Sequence, residues 1–391
     1  MTNQEFSRVN LCRPNSQDCD RMEVSMNKKV GIITFHRALN YGAVLQAYAL
    51  QQFLFGLGIE NEIIDYYSKS ITSCYAPFKI CKGKVVRGIA RGLLFFRVIQ
   101  KKRKRFEQFC NEYLTLSKPC YNDLDLKELS KDYTFLLTGS DQVFSPISAG
   151  FDEAYFLTFV EDEKRYSYAA SLGIKKIPKA LDEVYRERLR GFQCISVREA
   201  DAASLLQDYI SSKIKVHIDP TLLVTSRVWN QISHKTGFKK SYVLMFHVEK
   251  PIVSIQFAKE LAKQKGLEII YINDRTVIRD MNIKYVVAPK VEEFLAWFRE
   301  AAYIVTNSFH GTAISILFHK EFFVELENKK NRNVRVEALL QLLHIEEREI
   351  NKETNTSLTC KSISWNEVEG RLNHLREDAK EYMEDIVRTM I

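Results

Sequence analysis

Glycine and proline are scarce in this chain, 15 and 8 of its 391 residues. That excludes a fibrous or low-complexity protein. No window reaches the roughly 20 uninterrupted apolar residues that cross a bilayer; the nearest, Gly92 to Gln100, is short and closed by Arg91 and Lys101. The eight cysteines form no Cys-x-x-Cys pair and have no histidine at zinc spacing. They read as free thiols in a reducing compartment, with no disulfide framework and no metal site. There is no Gly-x-Gly-x-x-Gly fingerprint and no Walker loop, so a nucleotide cofactor has no support. Nor does an aromatic-rich or helix-turn-helix signature accompany the positive charge, which argues against a nucleic-acid partner.

What is present is ordinary for a globular protein: 46% hydrophobic and 27% charged residues, with 24 Phe and 18 Tyr. This length and composition can fill two cores. Residues 1–25 are polar and lack the apolar centre of a secretory signal; we expect a disordered extension, or an upstream start, ahead of a cytoplasmic protein that opens at Met26. Much of the net charge of +8 falls between Lys79 and Arg105. There Lys101-Lys102-Arg103-Lys104-Arg105 follows the apolar run Leu93-Leu94-Phe95-Phe96. This basic helical insertion, residues 79–113, reads either as a solvated amphipathic helix or as a patch that touches anionic lipid at the inner face of a membrane, or a lipid-linked acceptor.

Hydrophobic patterning alternates strands and helices throughout. Val30 to Thr34, Ile59 to Tyr66, Tyr133 to Thr138, Tyr166 to Gly173 and Gln193 to Val197 read as strands, with a helix over Ala43 to Leu57 and the basic helix followed by a second helical stretch to about Tyr113. Pro220 marks a boundary after Val216 to Thr221. A second alternating run follows: strand Tyr242 to His247, helix Ser254 to Lys265, strand Leu267 to Ile272, helix Val291 to Ala301, strand Tyr303 to Thr306, helix Gly311 to Phe318, strand Phe322 to Leu326. The expected fold is α/β, with two Rossmann-like domains (26–225 and 226–350) in a glycosyltransferase-B-like bilobal arrangement. Residues 351–391 are predicted to be a linker and a helix from about Trp365 to Thr389 that crosses back to the first domain.

In such sheets ligands sit at the carboxyl ends of the strands, so the residues there are the candidates. Thr306-Asn307-Ser308-Phe309-His310-Gly311-Thr312 ends a buried strand and starts a helix. Asn307 or Ser308 can cap that helix, and its first N–H groups suit a phosphate or carboxylate. His310 can exchange a proton near neutrality or simply pack; Gly311 permits a close backbone approach or packs likewise. Arg198 ends another strand and matches anions in bidentate fashion, or pairs with Glu199. The loop from Glu327 to Arg335 offers Lys329, Lys330, Arg332 and Arg335. On the other side, Asn40, Tyr41 and Gly42 occupy the first strand-helix loop, while Ser140, Asp141 and Gln142 lie at a strand-end turn where Asp141 can bond a sugar hydroxyl, act as a base or make an Asx-turn.

Taken in series, Gly31 to His36, Asn40 to Leu50, Gly139-Ser140-Asp141-Gln142-Val143, Tyr168-Ala169-Ala170-Ser171, Ser196-Val197-Arg198-Glu199, Asp219-Pro220-Thr221-Leu222-Leu223 and Thr306 to Gly311 resemble the successive motifs of the polysaccharide pyruvyl transferase family. The resemblance spans roughly residues 28 to 348. It implies transfer of the pyruvyl unit of phosphoenolpyruvate, as donor substrate, to a sugar of a surface polysaccharide or its lipid-linked repeat unit. A ketal forms, phosphate leaves, and no metal or other cofactor is required. His310 matches the catalytic histidine and Arg198 the donor-binding arginine, with Ser308 and Gly311 beside them; Lys330 best matches a donor-binding lysine, with Lys329 and Arg335 as alternatives. Asn40, Tyr41, Gly42, Ser140, Asp141 and Gln142 would face the acceptor.

The sequence departs from the family where members tend to have Arg-Leu-His and it has Ser308-Phe309-His310. Either Arg335 or Arg332 then supplies the missing cation, or the donor differs. Phe144 also stands where many relatives have Trp. A nucleotide-sugar-dependent glycosyltransferase, or a non-catalytic relative, is the alternative expectation.

Overall fold

The computed structural model describes residues 29–74, 85–148, 151–273, 280–326, 334–351, 354 and 362–389. The expectation for residues 1–25 falls outside them, as do Lys329, Lys330 and Arg332.

The first sheet contains β1 (Lys29–Ile33), β2 (Glu60–Ile63), β3 (Phe135–Thr138) and β4 (Arg165–Ser167) in the parallel order β2-β1-β3-β4. Single bridges from Tyr166 to Cys194 and from Ala170 to Val197 carry it on to the short parallel pair β5 (Ser196–Val197) and β6 (Lys215–Val216). On the opposite edge, bridges from Ile63 to Leu116 and from Tyr66 to Cys120 add a further parallel segment outside β2. Its helices are α1 (Tyr41–Gly56), α2 (Lys69–Cys74), α3 (Val85–Tyr113), α4 (Asp123–Leu129), α5 (Asp182–Leu189) and α6 (Ala200–Leu206).

After α7 (Ser226–Ile232) the second sheet begins with β7 (Tyr242–Phe246). It continues through α8 (Ser254–Lys265), β8 (Glu268–Ile272), β9 (Lys284–Val286), α9 (Val291–Glu300), β10 (Tyr303–Thr306), α10 (Phe309–Leu317), β11 (Glu321–Glu325), α11 (Val334–Leu343) and β12 (Glu349–Ile350). The order is β12-β11-β10-β7-β8-β9, all parallel. This is the order of a Rossmann sheet. The central strands are near-continuous apolar runs because helices cover both faces: β3 reads Phe-Leu-Leu-Thr and every residue is buried.

In each sheet the chain starts in the middle, builds outward one way, and returns to build the other. The resulting switch points lie between β1 and β3 and between β7 and β10. Loops diverge there and leave a crevice at the carboxyl ends. The two crevices face each other, since Gly42, after β1, lies against the ring of His310, after β10.

The lobes share one apolar core, which runs from Val30 and Leu45 to Ile304 and Met383. α1 is buried on almost every side, as a helix enclosed by both lobes must be. At its start Tyr41 stacks on Phe294 at 4.1 Å and donates its hydroxyl to the Pro289 carbonyl at 2.8 Å. The last helix, α12 (Trp365–Thr389), crosses back as expected: Tyr382 donates to the Ser167 carbonyl at 2.9 Å, and Arg376 to that of Leu222 at 2.8 Å.

The basic segment departs in part from its first reading, as a wholly solvated helix. The structure has one continuous helix to Tyr113 in place of two. Two of its cations turn into the joint: Lys102 lies 4.8 Å from the Tyr41 ring, while Arg105 donates to the Ala288 carbonyl and approaches Glu293 to 3.9 Å. Lys101 and Lys104 remain exposed. No helix among the described residues is long and apolar enough to cross a membrane.

Candidate functional site

The first lobe finishes its strands with a network of side chains. Gln46 of α1 donates to Thr34 Oγ1 at 2.8 Å and accepts from the Ser140 amide at 3.0 Å. Ser140 Oγ donates to the Ala169 carbonyl at 2.6 Å and lies 3.4 Å from Asp219 Oδ2. Asp219 is the hub. Its Oδ1 accepts from the amide and hydroxyl of Thr221 at 3.0 and 2.7 Å; its Oδ2 accepts from Arg198 Nη1 at 2.5 Å and lies 3.7 Å from His310 Nε2, an ion-pair distance beyond a hydrogen bond. Burial pushes the Asp219 carboxyl up, but His310, Arg198 and Thr221 together hold it well below the ordinary carboxylate range.

Arg198 also donates from Nε to Glu199 Oε1 at 3.0 Å, and Glu199 in turn accepts from Ser171 at 2.9 Å. Its guanidinium carbon stands 4.5 Å from the Phe309 ring centre. The guanidinium of Arg335, at the start of α11, approaches the same ring at 5.9 Å. Burial, then the charge of Arg198, lowers the Arg335 pKa, against the opposing charges of Glu199, Asp141 and Asp219.

Three donors gathered here have no hydrogen-bond partner among the described residues, although each is buried: Arg198 Nη2, Arg335 Nε and His310 Nε2. A buried donor left unmade costs about 1–3 kcal/mol, and a charged one more. Two guanidinium groups and an imidazole so placed have the chemistry to receive an anion with more than one charged group and to carry a proton beside it.

α10 starts at Phe309, two residues before the expected Gly311, and takes one of its two expected caps. Ser308 is its N-cap, accepting from the Gly311 amide at 3.2 Å, so Ser308 and Gly311 bond each other. A methyl group at Gly311 would come within 2.5 Å of Thr306 Oγ1, which itself donates to the Phe246 carbonyl at 2.6 Å. Asn307 accepts from the Val248 amide at 2.9 Å and ties β10 to the loop after β7. These residues fix the helix start and aim His310.

Of the predicted acceptor residues, Gly42 and Asp141 join the cluster. A methyl at Gly42 would lie 2.0 Å from His310 Nδ1. Asp141, buried with φ 71°, accepts from the adjacent Gln142 amide at 2.9 Å, and its charge reaches both arginines. Asn40 is exposed and caps α1 through the Gly42 amide at 3.0 Å. Tyr41 belongs to the joint instead, Ser140 is fully buried under Asp219, and the Gln142 amide lies against Gly173. Asp219 was missed as a site residue: Pro220 made the motif read as a boundary. A separate polar cavity of about 290 Å³, lined by Arg165, Arg188 and Asp162, opens by the amino-terminal end of β4 and holds none of these residues.

Two parallel-sheet lobes of glycosyltransferase-B type thus bring a histidine and two arginines together at their facing switch points. Residues 40–325 match the model of the family Polysaccharide pyruvyl transferase. The chain belongs to that family. No curated protein matches its sequence with significance. Solved structures similar to it include a UDP-GlcNAc 2-epimerase from Neisseria meningitidis bound to UDP-GlcNAc (10% identity, 93% of this chain and 94% of that one, TM-score 0.46) and S. aureus MnaA with UDP (15%, 89% and 90%, 0.45). An alpha-glucosyltransferase in complex with UDP and a 13-mer DNA is another (11%, 89% and 90%, 0.47).

Proposed function

We propose that this protein moves the pyruvyl group of phosphoenolpyruvate onto a sugar of a surface polysaccharide or its lipid-linked repeat unit, forming a ketal. The observation that carries the reading is the trio of unpartnered donors on Arg198, Arg335 and His310. Phosphoenolpyruvate bears a carboxylate and a phosphate, one for each guanidinium. Arg335 is thus the cation that the Ser308 departure called for. In the reaction His310 gives a proton to the methylene carbon as an acceptor hydroxyl adds to the neighbouring carbon; phosphate leaves, and a second hydroxyl closes the ketal. The two arginines hold the charge that builds on phosphate as it departs.

Against a nucleotide-sugar donor, the acid at the end of β11 is already engaged. Glu325 accepts from the amides of Ile252 and Ser254 at 2.7 and 2.9 Å, and from the Ser254 hydroxyl. It has little left to offer a ribose.

Incubation with phosphoenolpyruvate and galactosides, glucosides or mannosides, synthetic or lipid-linked, should release phosphate and add the pyruvyl mass to the sugar. Release that persists unchanged in His310→Ala, or consumption of a nucleotide sugar alone, would overturn the assignment. For a lipid-linked acceptor the exposed Lys101 and Lys104 are left to meet anionic headgroups. Neutralising both should reduce sedimentation with anionic vesicles; unchanged sedimentation removes that contact.

A further inference from the structure

The acceptor side of the cleft extends past the residues that surround His310. Arg37 lies in the loop after β1, Asp65 and Tyr67 follow β2, and Tyr121 follows the edge segment bridged to Tyr66 through Cys120. All three segments run parallel, so these residues stand at the same, carboxyl, end of the sheet as the site. They step outward from it across neighbouring strands at about 4.8 Å each.

Their arrangement is built from the inside. Arg37 donates from Nε and Nη2 to the two Asp65 oxygens at 2.7 and 2.6 Å, a bidentate pair that fixes the guanidinium plane. His36 Nε2 lies 3.1 Å from the same carboxylate. Burial pushes the Asp65 carboxyl up, yet the bonds from His36 and Arg37 bring it below its ordinary value, so the clamp is charged at neutral pH. Arg37 lies 4.7 Å from the Tyr67 ring centre, and Tyr67 stacks on Tyr121 at 5.0 Å with 28° between the planes. Tyr121 ends this stack and is 58% exposed. A large aromatic ring backed by a second ring and a clamped guanidinium, and still more than half exposed, offers a platform to a ligand with an apolar face and polar edges. A sugar ring has both.

We infer that Tyr121 and Tyr67, steadied by Arg37 and Asp65, form a subsite that stacks a second sugar ring of the acceptor, beyond the ring that reacts at His310. The inference rests on the sugar acceptor proposed above. It makes the protein selective for a disaccharide or longer unit over a single sugar. No covalent step occurs there, and Tyr121 is a binding residue only.

The test is saturation-transfer NMR with methyl glycosides of galactose, glucose and mannose and with their β-linked disaccharides, on wild type, Tyr121→Ala and Tyr121→Phe. Wild type should bind at least one disaccharide more tightly than its monosaccharide, and Tyr121→Ala should weaken that disaccharide about tenfold. Tyr121→Phe, which keeps the ring, should restore it. Equal disaccharide binding by wild type and Tyr121→Ala, an equal loss for monosaccharides and disaccharides, or no Tyr121-dependent transfer to any sugar in the panel, overturns the subsite. Circular dichroism of Tyr121→Ala separates a binding loss from misfolding, and because Tyr121 is exposed the fold should hold. Phosphate release is read separately: sugars that bind through Tyr121 without any release from phosphoenolpyruvate would sink the transferase reading and leave the subsite standing.

Discussion

The two lobes end their strands in opposite ways. In the first, Thr34, Gln46, Ser140, Asp219, Arg198, Glu199 and Ser171 bond one another in a buried network of side chains. In the second, Thr306, Asn307 and Glu325 bond the backbone of neighbouring loops. The first lobe therefore arranges charge, and the second builds a stiff mount. His310 and Arg335 come from the mount and reach toward the charge, so the cluster they form with Arg198 and Asp219 exists where the lobes meet and in neither alone.

The largest effect should come from breaking the charge side. Arg198→Ala leaves Asp219 and Glu199 buried without their cation, which costs about 3–5 kcal/mol. Urea unfolding should show that loss, and calorimetry should show phosphoenolpyruvate binding abolished. An unchanged midpoint would mean the network does not hold the lobe.

The joint itself is sensitive to pH through His217. Its Nδ1 lies 2.7 Å from Ser196 Oγ, its ring packs against Tyr168 and against Tyr382 of α12, and its Nε2 lies 3.6 Å from Asp378. Burial pushes its pKa down from 6.5 to about 4, against the pull of Asp378. Between those two values the unfolded chain binds a proton that the folded chain refuses. Stability is therefore complete above pH 6.5 and falls as pH drops toward 4, by about 3 kcal/mol in full. Urea midpoints across this range should fall in the wild type and stay flatter in His217→Leu; parallel profiles would take His217 out of the joint.

The sequence carried the second lobe more legibly than the first. α8 and α12 begin and end where periodicity places them, β10 keeps its expected bounds, and the helix after it starts two residues early, at Phe309. The short strands were harder: β5 and β6 are two residues each, and β9 is a partly exposed edge with no apolar run. The places of His310, Arg198 and Arg335 were legible because each stands at the end or beginning of an element on the cleft side. Asp219 was not, since proline after it reads as local punctuation while its partners come from distant strands. Tyr41 was misread for a related reason: its loop faces the cleft, but the aromatic surface of α9 that claims it is visible only in three dimensions.

Gly42 tests how closely the mount must meet the network. A methyl there would sit 2.0 Å from His310 Nδ1 and 2.2 Å from its Cγ, near the stem of the ring, so turning the ring about its own axis does not clear it and the whole imidazole must be displaced. A displacement of about 1 Å at a reacting group costs on the order of a hundredfold in rate. Gly42→Ala should therefore lower kcat for phosphate release by about that factor while phosphoenolpyruvate still binds to Arg198 and Arg335. Wild-type kcat would show that the lobes meet more loosely than this contact implies.

The smallest effect is expected at Ser308, where the sequence departs from its family. If that serine held the donor, Ser308→Ala would weaken phosphoenolpyruvate binding. In the structure it serves the helix instead, since its hydroxyl caps α10 through the Gly311 amide and its own amide donates to Thr306 Oγ1 at 3.1 Å. Loss of such a cap costs about 1 kcal/mol. Ser308→Ala should then lower the melting temperature by a few degrees, with the KM for phosphoenolpyruvate nearly unchanged, whereas Arg335→Ala should raise that KM sharply. The reverse pattern would return the donor contact to Ser308 and leave Arg335 as a half-buried structural cation.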